Sequence, residues 1–273
     1  MKKIFPSTLV AFLLLVLCWG CEKKGTPPTL PPAESMIIDF SNFIVSGKSV
    51  RISGNSKDVE NTNWTVAASV AAVWNSILVL NIAIPVAAFE KAINTTPTNL
   101  DKNTWQWKYS VNAIGATYTA RLTGQKNTSD VTWDMYISKD GASGYAEFLW
   151  YEGTTDLDGK NGSWTIKESQ ANQVPMLQID WYKSSSSIDS IKYTYIKAGD
   201  AFNSSYIMYG LTSNTLNAFY NVYFWLPNML KFTNVSIQWS TTVHNGRIEA
   251  DDYFQDNSWH CWDLNGDDVT CPE

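Results

Sequence analysis

Four acidic side chains lie within segments of alternating polar and apolar residues, where they could do acid–base chemistry: Asp134, Glu147, Glu152 and Asp180. Hydrolysis of a glycosidic bond needs two carboxyl groups about 5 to 9 Å apart across a cleft, one to donate a proton and one to act as base or nucleophile. The sequence does not show which two would be neighbours. Carboxylates on the outward face of a strand also keep a sheet soluble, and we expect that simpler role for them.

A loop near the C-terminus carries oxygen-bearing side chains at alternate positions, Asp263, Asn265 and Asp267. Hard cations bind such oxygens, so this spacing matches the first half of a calcium loop, although no Glu occupies its twelfth position. We therefore weigh a calcium site against an acidic, solvated tail and favour the tail. A second acidic loop, residues 156–162, has similar oxygens, and we interpret it as an ordinary hairpin turn. We expect no cofactor, with calcium at the C-terminal loop as the alternative.

Two of the four cysteines, Cys261 and Cys271, lie close together in the C-terminal tail, residues 259–273. In an exported protein a disulfide forms and persists, so we predict a disulfide that closes this tail. The alternative is a zinc pair with His260, but the C-x-x-C unit typical of such sites is missing. Nucleophilic catalysis is poorly supported, because the only other histidine is His244 and no Gly-x-Ser-x-Gly motif occurs.

Aromatic side chains are abundant, and several stand where alternation does not settle which way they face. Exposed Trp and Tyr rings stack well on sugars and bury apolar area with few rotatable bonds. Core packing is the commoner role for such rings. The candidates for a ligand-binding surface are Trp150, Trp181, Tyr182, Tyr223 and Trp225.

Residues 1–20 have the pattern of a secretory signal peptide. Lys2 and Lys3 precede an apolar run over residues 9–17, which is too short to span a bilayer comfortably. The segment ending in Gly20 and Cys21 resembles the lipobox of bacterial lipoproteins. That resemblance implies cleavage before Cys21, its lipidation with palmitate or similar acyl chains, and a location in the cell envelope as an outer-membrane lipoprotein, either periplasmic or surface-exposed. The alternative is an ordinary secretory signal that is cut elsewhere.

The segment after the leader predicts a spacer and an acidic mature chain. Residues 21–35 contain four prolines among small and polar residues, which predicts a semi-stiff tether. Two of the 20 basic residues lie in the leader, so its removal changes the formal net charge from −6 to −8. Nucleic acid is an unsuitable partner for so acidic a chain. Nothing in the sequence indicates an oligomeric state.

Residues 36–273 are predicted to form a single domain that is mainly β with a helical segment. Aromatic residues make up 14% of the chain and charged residues only 17%, a composition typical of strands. Period-two alternation predicts half-buried strands over 105–111, 118–122, 131–137 and 235–239. The spacing of turn residues leaves room for about 10–12 antiparallel strands, joined as neighbours in a strongly curved or closed meander sheet.

The helical segment spans about 62–94, and no charged residue occurs between positions 61 and 89. Length alone would permit a membrane span, but Asn75, Asn81 and Pro85 interrupt the run. We predict two helices, 62–80 and 85–94, the second opened by Pro85, both packed on the concave face of the sheet. This arrangement is similar to the half-barrel of bacterial lipoprotein carriers, a likeness that implies no function.

The leader, the Pro-rich linker and the tail sequence 261–266 together resemble uncharacterised surface lipoproteins of the Bacteroidetes. The resemblance implies a membrane partner through the lipid anchor and no particular activity. We expect a non-enzymatic binding or envelope-scaffold protein that holds a glycan or an apolar ligand. One alternative is a glycan-acting hydrolase, which requires a convergent carboxylate pair. Another is a carrier of a lipid or other apolar ligand, which requires a cavity between sheet and helices.

Overall fold

The computed structural model describes residues 25–43, 62–185 and 187–272, so the predicted signal peptide and Cys21 lie outside the described residues. Two 3-10 turns, Ala33–Met36 and Ser41–Phe43, precede a long helix α1, Asn63–Ile93, and a short helix α2, Asp251–Phe254, follows later. The strands are β1 Thr98–Asn99, β2 Thr104–Ala113, β3 Ala116–Lys126, β4 Asp130–Lys139, β5 Tyr145–Asp156, β6 Asn161–Lys167, β7 Pro175–Tyr182, β8 Ser190–Tyr195, β9 Tyr206–Leu211, β10 Ala218–Leu226, β11 Lys231–Trp239, β12 Gly246–Glu249, β13 His260–Trp262 and β14 Asp268–Val269.

The fourteen strands of the described residues belong to one antiparallel sheet whose spatial order follows the sequence from β1 to β14. The predicted mainly-β meander is thereby confirmed. The sheet is open, because its edge strands β1 and β14 pair only with β2 and β13. The predicted closed alternative is therefore wrong, and the predicted 10–12 strands fall short of the total. The shortfall arises at the ends, where two-residue strands such as β1 and β14 are too short to show any alternation.

The helical segment is one continuous helix, and the predicted break before Pro85 is wrong. A proline inside a helix removes one backbone hydrogen bond and costs about 3 kcal/mol. Here Pro85 is buried, and its carbonyl oxygen accepts a hydrogen bond of 3.4 Å from the Tyr151 hydroxyl. Burial against the sheet offsets the local defect, which is why the helix continues through it.

Helix α1 contacts strands near both ends of the sheet. It lies against β12 and β13, where Asn63 of its first turn donates to the carbonyl of Cys261, and against β2 and β3. The Thr62 side chain caps the N-terminus by accepting the backbone N–H of Thr65. Near the other end, the Tyr109 hydroxyl donates to the carbonyl of Ala88 over 2.7 Å. The prediction that the apolar run packs against the sheet is thus confirmed.

The middle of α1 is more exposed than its ends. Leu78 is 5% exposed, whereas Val79 and Leu80 are 55% and 82% exposed. Among the helices that the structure describes, α1 alone is long and apolar enough to cross a membrane, with a mean hydropathy of 1.9 over its most apolar window. Only 28% of that window is buried, and a core helix of a soluble domain meets the same criterion. Length and composition are therefore a weak indication of a membrane span.

The N-terminal part of the described chain packs into the domain as a strap, residues 28–43. Trp164 donates its indole N–H to the Ser35 hydroxyl over 3.2 Å, and the Tyr220 hydroxyl donates to the Asp39 carbonyl. Phe43 ends the strap among four aromatic rings: Trp64, Tyr220, Trp239 and Trp262. The predicted tether, residues 21–35, is therefore part of the folded domain from Pro28 onward.

Tryptophan rings that lie over glycines of the neighbouring strand fill the inner face of the sheet. In each of four cross-strand pairs a side chain on the glycine would collide with the ring: Gly124–Trp133, Gly153–Trp164, Gly162–Trp181 and Gly246–Trp262. At Gly153, for example, a Cβ would lie 2.4 Å from Cε3 of Trp164. The missing glycine side chain lets each ring rest on the backbone, which gives the aromatic core its close packing.

Candidate binding surface

A row of partly exposed aromatic rings crosses the outer face of strands β9, β10 and β11. We call it the aromatic row, and it consists of Tyr206, Tyr223, Phe232 and Trp225. The rings of Tyr223 and Phe232 stack with centroids 4.6 Å apart and planes 9° apart. Tyr206 lies 5.7 Å from Tyr223 on one side, and Trp225 meets Phe232 edge-on at 5.2 Å on the other.

Strand register explains how these rings come together. Tyr206 stands directly opposite Tyr223, and Trp225 stands directly opposite Phe232. Facing residues in an antiparallel pair have Cβ atoms about 5 Å apart, which suits ring contact. Lys192 on β8 extends the row, because its Nζ lies 4.1 Å from the centroid of Tyr206 in cation–π geometry.

Polar and apolar groups flank the aromatic row on opposite sides. Asn234 faces Tyr223 across the strand pair, and Asn221 lies two residues before Tyr223 on β10. Both asparagines are exposed, and their side-chain amides make no hydrogen bond within the described part of the chain. Beyond Trp225, the β10–β11 turn exposes Met229 by 53% and Leu230 by 75%. The outer face thus offers rings, free amides and an apolar turn in one place.

The structure brings together only two of the five aromatic candidates, Tyr223 and Trp225. Trp150 and Trp181 are 8% and 3% exposed, so their rings belong to the core and present no face to a ligand in solvent. Trp150 is the extra residue of a β-bulge in β5, which explains why alternation could not orient it. Tyr182 is 44% exposed but lies at the other end of β7, away from the aromatic row.

Sequence reasoning missed Tyr206, Phe232 and Lys192. The sequence did indicate which way Phe232 faces. Alternation places Val235, Ile237 and Trp239 on the inner face of β11, so Phe232, an odd number of residues away, lies on the outer face. The partnership of Phe232 with Trp225 needed the strand register, which the sequence does not state.

Of the four candidate carboxylates, Asp134 and Glu152 face each other across β4 and β5 on the outer face. Burial, and secondly the charge of Glu152, raise the pKa of Asp134 above its ordinary value, while Arg121 and Lys167 oppose that effect. Facing residues in an antiparallel pair have Cβ atoms about 5 Å apart, so strand register brings these two candidate carboxyl groups together.

The other two candidate carboxylates lie apart from that pair. Glu147 accepts two hydrogen bonds from the Arg121 guanidinium, at 2.8 and 2.9 Å, and these lower its pKa. Asp180 accepts the side-chain amide of Gln178 on its own strand. Neither has an acidic partner directly opposite it on a neighbouring strand, among the pairs described.

The C-terminal loop is organised by its own backbone. The Asp263 carboxylate accepts the backbone N–H groups of Asn265 and Asp267, at 2.8 and 3.1 Å. The Asp263 Oδ1 that accepts these two N–H groups faces the loop backbone, as in an Asx turn. Within residues 25–43, 62–185 and 187–272, no group of three or more His, Cys, Asp and Glu side chains is arranged to hold a metal ion. Calcium binding by Asp263, Asn265 and Asp267 stays a prediction.

Cys261 and Cys271 form a disulfide, with Cα atoms 5.1 Å apart. Both thiols are therefore used, and the alternative zinc pair is wrong. The neighbouring His260 stacks on Phe254 with centroids 3.7 Å apart and contacts Asp256 through Nε2 at 3.1 Å. The second acidic loop, residues 156–162, forms the β5–β6 turn, in which the Asp156 carboxylate accepts backbone N–H groups.

Comparisons of the chain with protein-family models, with curated proteins and with solved structures found no match.

Proposed function

We propose that this chain is a membrane-anchored lipoprotein of the bacterial cell envelope whose β domain recognises glycans without acting on them. The observation that carries the proposal is the aromatic row on the outer face of β9–β11, flanked by the free amides of Asn221 and Asn234. Sugar recognition combines stacking of a ring face on an aromatic side chain with hydrogen bonds to hydroxyl groups. The aromatic row and the two flanking asparagines together supply both kinds of contact on one sheet.

Trp225 is the ring best placed for stacking on a sugar. The faces of Tyr223 are taken up by its neighbours, since Phe232 stacks on it and Tyr206 lies beside it. Trp225 lies at the end of the row, and within the described part of the chain its one ring contact is edge-on, with Phe232. A neutral glycan suits the surface better than an acidic one, because the mature chain carries a formal charge of −8.

Native gel electrophoresis through soluble neutral polysaccharides tests this recognition. We would run the domain through gels that contain a β-glucan, a xyloglucan or a starch, and compare wild type with Trp225→Ala and with Tyr182→Ala as the matched control. We expect retardation by at least one polysaccharide, a loss of about tenfold or more in affinity for Trp225→Ala, and wild-type behaviour for Tyr182→Ala. Equal losses in the two variants, or no retardation of wild type, would overturn the proposal.

Membrane anchoring is proposed from the leader and from Cys21. Two or three acyl chains on one residue anchor a protein stably, at about 0.8 kcal/mol for each buried methylene. Labelling cells with a palmitate analogue tests this step directly. We expect acylated protein in the membrane fraction for wild type, and unlabelled protein for Cys21→Ser. Labelling that persists in Cys21→Ser would place the modification elsewhere.

The packed interior favours recognition at the outer face of the sheet over a lipid carrier. A carrier needs apolar space between sheet and helix. The structure places the strap, helix α1 and the inward tryptophans there in one continuous buried cluster. Five side chains of this interior are large and fully buried tryptophans: Trp107, Trp133, Trp164, Trp239 and Trp262.

The facing carboxylates Asp134 and Glu152 support a second candidate function, glycan hydrolysis. Asp134, with its raised pKa, would donate the proton, and Glu152 would act as base or nucleophile. Release of reducing sugar from the same polysaccharides tests this alternative. Hydrolysis that is lost in Asp134→Asn and Glu152→Gln but kept in Glu147→Gln would support it. Undetectable hydrolysis by wild type would exclude these substrates.

A further inference from the structure

The first described residues are fixed to one end of the sheet. Gly25 lies against the β1–β2 turn, where a Cβ on it would be 3.4 Å from the carbonyl oxygen of Lys102. Lys126, at the end of β3, donates from Nζ to the carbonyl of Thr26 over 3.4 Å. Thr29 lies against Gly159 in the β5–β6 turn, and its Cγ2 is 3.5 Å from where a Cβ would stand. The segment therefore crosses three successive turns at this end, which we call the anchor end.

The distance from the anchor end to Cys21 is short. Four residues of fully extended chain span at most about 14 Å. A ten-residue strand such as β2 is about 34 Å long. If Cys21 carries the lipid, the anchor end must therefore stay close to the bilayer. The opposite end of the sheet, which includes the β10–β11 turn, is a full strand length farther away.

The surface of the anchor end suits a lipid headgroup layer. Leu100 in the β1–β2 turn and Leu157 in the β5–β6 turn are 52% and 44% exposed. Lys102 and Lys160 lie two and three residues after these leucines in the sequence. The long cationic side chain of Lys102 can reach lipid phosphates, whereas the Nζ of Lys160 lies 2.8 Å from the Asp158 carboxylate. The nearby Asp101 is turned back onto its own loop, since its carboxylate accepts the backbone N–H groups of Asn103 and Thr104.

We infer that the anchor end is a membrane-docking surface, seated on a zwitterionic bilayer with Leu100 and Leu157 in the headgroup layer. This inference rests on the proposed lipidation of Cys21 and adds which face of the fold meets the membrane. The aromatic row then lies far from the bilayer, because the turn that follows Trp225 is at the opposite end of the strands. Recognition and anchoring are thereby separated along the strand direction.

Lysine footprinting on vesicles tests the orientation. The chain from Cys21 onward has one free thiol, because Cys261 and Cys271 are joined. That thiol would be coupled to a maleimide phospholipid in vesicles of phosphatidylcholine and phosphatidylethanolamine. Acetylation of each lysine by a membrane-impermeant reagent would then be compared between coupled and uncoupled protein by mass spectrometry.

We expect coupling to lower the acetylation of Lys102 and Lys160 several-fold and to leave Lys139 and Lys231, at the opposite end, unchanged. Replacing both exposed leucines in Leu100→Ser/Leu157→Ser should reduce the protection without unfolding the domain. Equal protection of lysines at both ends would overturn the inference. Chemical coupling bypasses cellular lipidation, so failure of the palmitate labelling would count against the proposed function and leave this orientation measurement valid.

Discussion

The Asp268 carboxylate accepts a hydrogen bond of 2.7 Å from the backbone N–H of Asn63, the first residue of helix α1. The side-chain amide of Asn63 donates in turn to the carbonyl of Cys261, 3.0 Å away. A carboxylate at a helix N-terminus satisfies a backbone donor that has no partner within the helix and interacts favourably with the helix dipole. The disulfide-closed tail thus holds the start of a helix about 200 residues earlier in the chain.

Removing that carboxylate should destabilise the fold. We expect Asp268→Ala to lower the free energy of unfolding by about 0.5 to 2 kcal/mol, the usual range for loss of a helix cap. The free energy of unfolding of Asp268→Asn should lie between those of wild type and Asp268→Ala, because the asparagine keeps an acceptor oxygen and loses the charge. Urea denaturation at pH 7 measures the difference. Asp267→Ala is the matched control in the same loop, and a loss there as large as in Asp268→Ala would contradict the assignment.

Much of the sheet was predictable from the sequence, because inward residues alternate strictly in its long strands. Val131, Trp133, Met135 and Ile137 were expected on one face, and each is at most 1% exposed. Alternation fails where a bulge adds a residue, as at Trp150. It also fails where packing overrides local propensity, as at Pro85, whose burial keeps α1 continuous. The composition around the prolines predicted a spacer. Composition alone does not show that residues 28–35 pack into the domain.

The candidate surface was predictable only in part. Tyr223 and Trp225 were expected as ligand-binding candidates, because bulky residues stand on both faces of their strand. The rings that complete the surface lie on neighbouring strands, and their positions depend on register. Register is a long-range property that a single sequence carries weakly. The same limit applies to Asp134 and Glu152, which were both candidates and could not be paired before the strand order was known.

Two carboxylates on the outer face of the sheet should affect stability with opposite signs. The pKa of Asp134 is raised on folding, mainly by burial, so its ionisation costs stability as pH rises above about 4. We expect Asp134→Asn to be more stable than wild type at pH 7 and to match it at pH 3, where both folded and unfolded wild type are protonated. Urea denaturation at the two pH values measures this. A destabilised Asp134→Asn at pH 7 would mean that the carboxylate makes a favourable contact.

Glu147 provides the opposite case. Hydrogen bonds from Arg121 lower its pKa below the ordinary value of 4.5, so its contribution is present above that pH and is lost as pH falls through the folded pKa. We expect Glu147→Gln to lower the free energy of unfolding at pH 7 by up to about 1 kcal/mol, the upper end of the range for an exposed ion pair. The loss should shrink as pH falls below 4.5 and disappear once pH is well below the folded-state pKa. A loss that is independent of pH would point to packing rather than charge.

Two buried tyrosines should respond differently to removal of the hydroxyl. The Tyr220 hydroxyl donates to the Asp39 carbonyl of the strap. Tyr220→Phe should therefore lower the free energy of unfolding by about 0.5 to 1.5 kcal/mol. The Tyr193 hydroxyl is buried and has no hydrogen-bond partner in the described chain, so Tyr193→Phe should be neutral or stabilising. Thermal unfolding of the two variants side by side tests the contrast. A destabilised Tyr193→Phe would show that a water or another group satisfies that hydroxyl.

Two leucines on helix α1 test whether its exposed side is in contact with anything. Leu78 is 5% exposed and packs in the core, so Leu78→Ala should lower the free energy of unfolding by about 2 to 5 kcal/mol. Leu80 is 82% exposed, so Leu80→Ser should stay within about 0.5 kcal/mol of wild type. Urea denaturation of the domain in detergent-free buffer gives both values. A loss for Leu80→Ser as large as that for Leu78→Ala would show that the outer side of α1 is covered, because an unpartnered side chain contributes little when it is truncated.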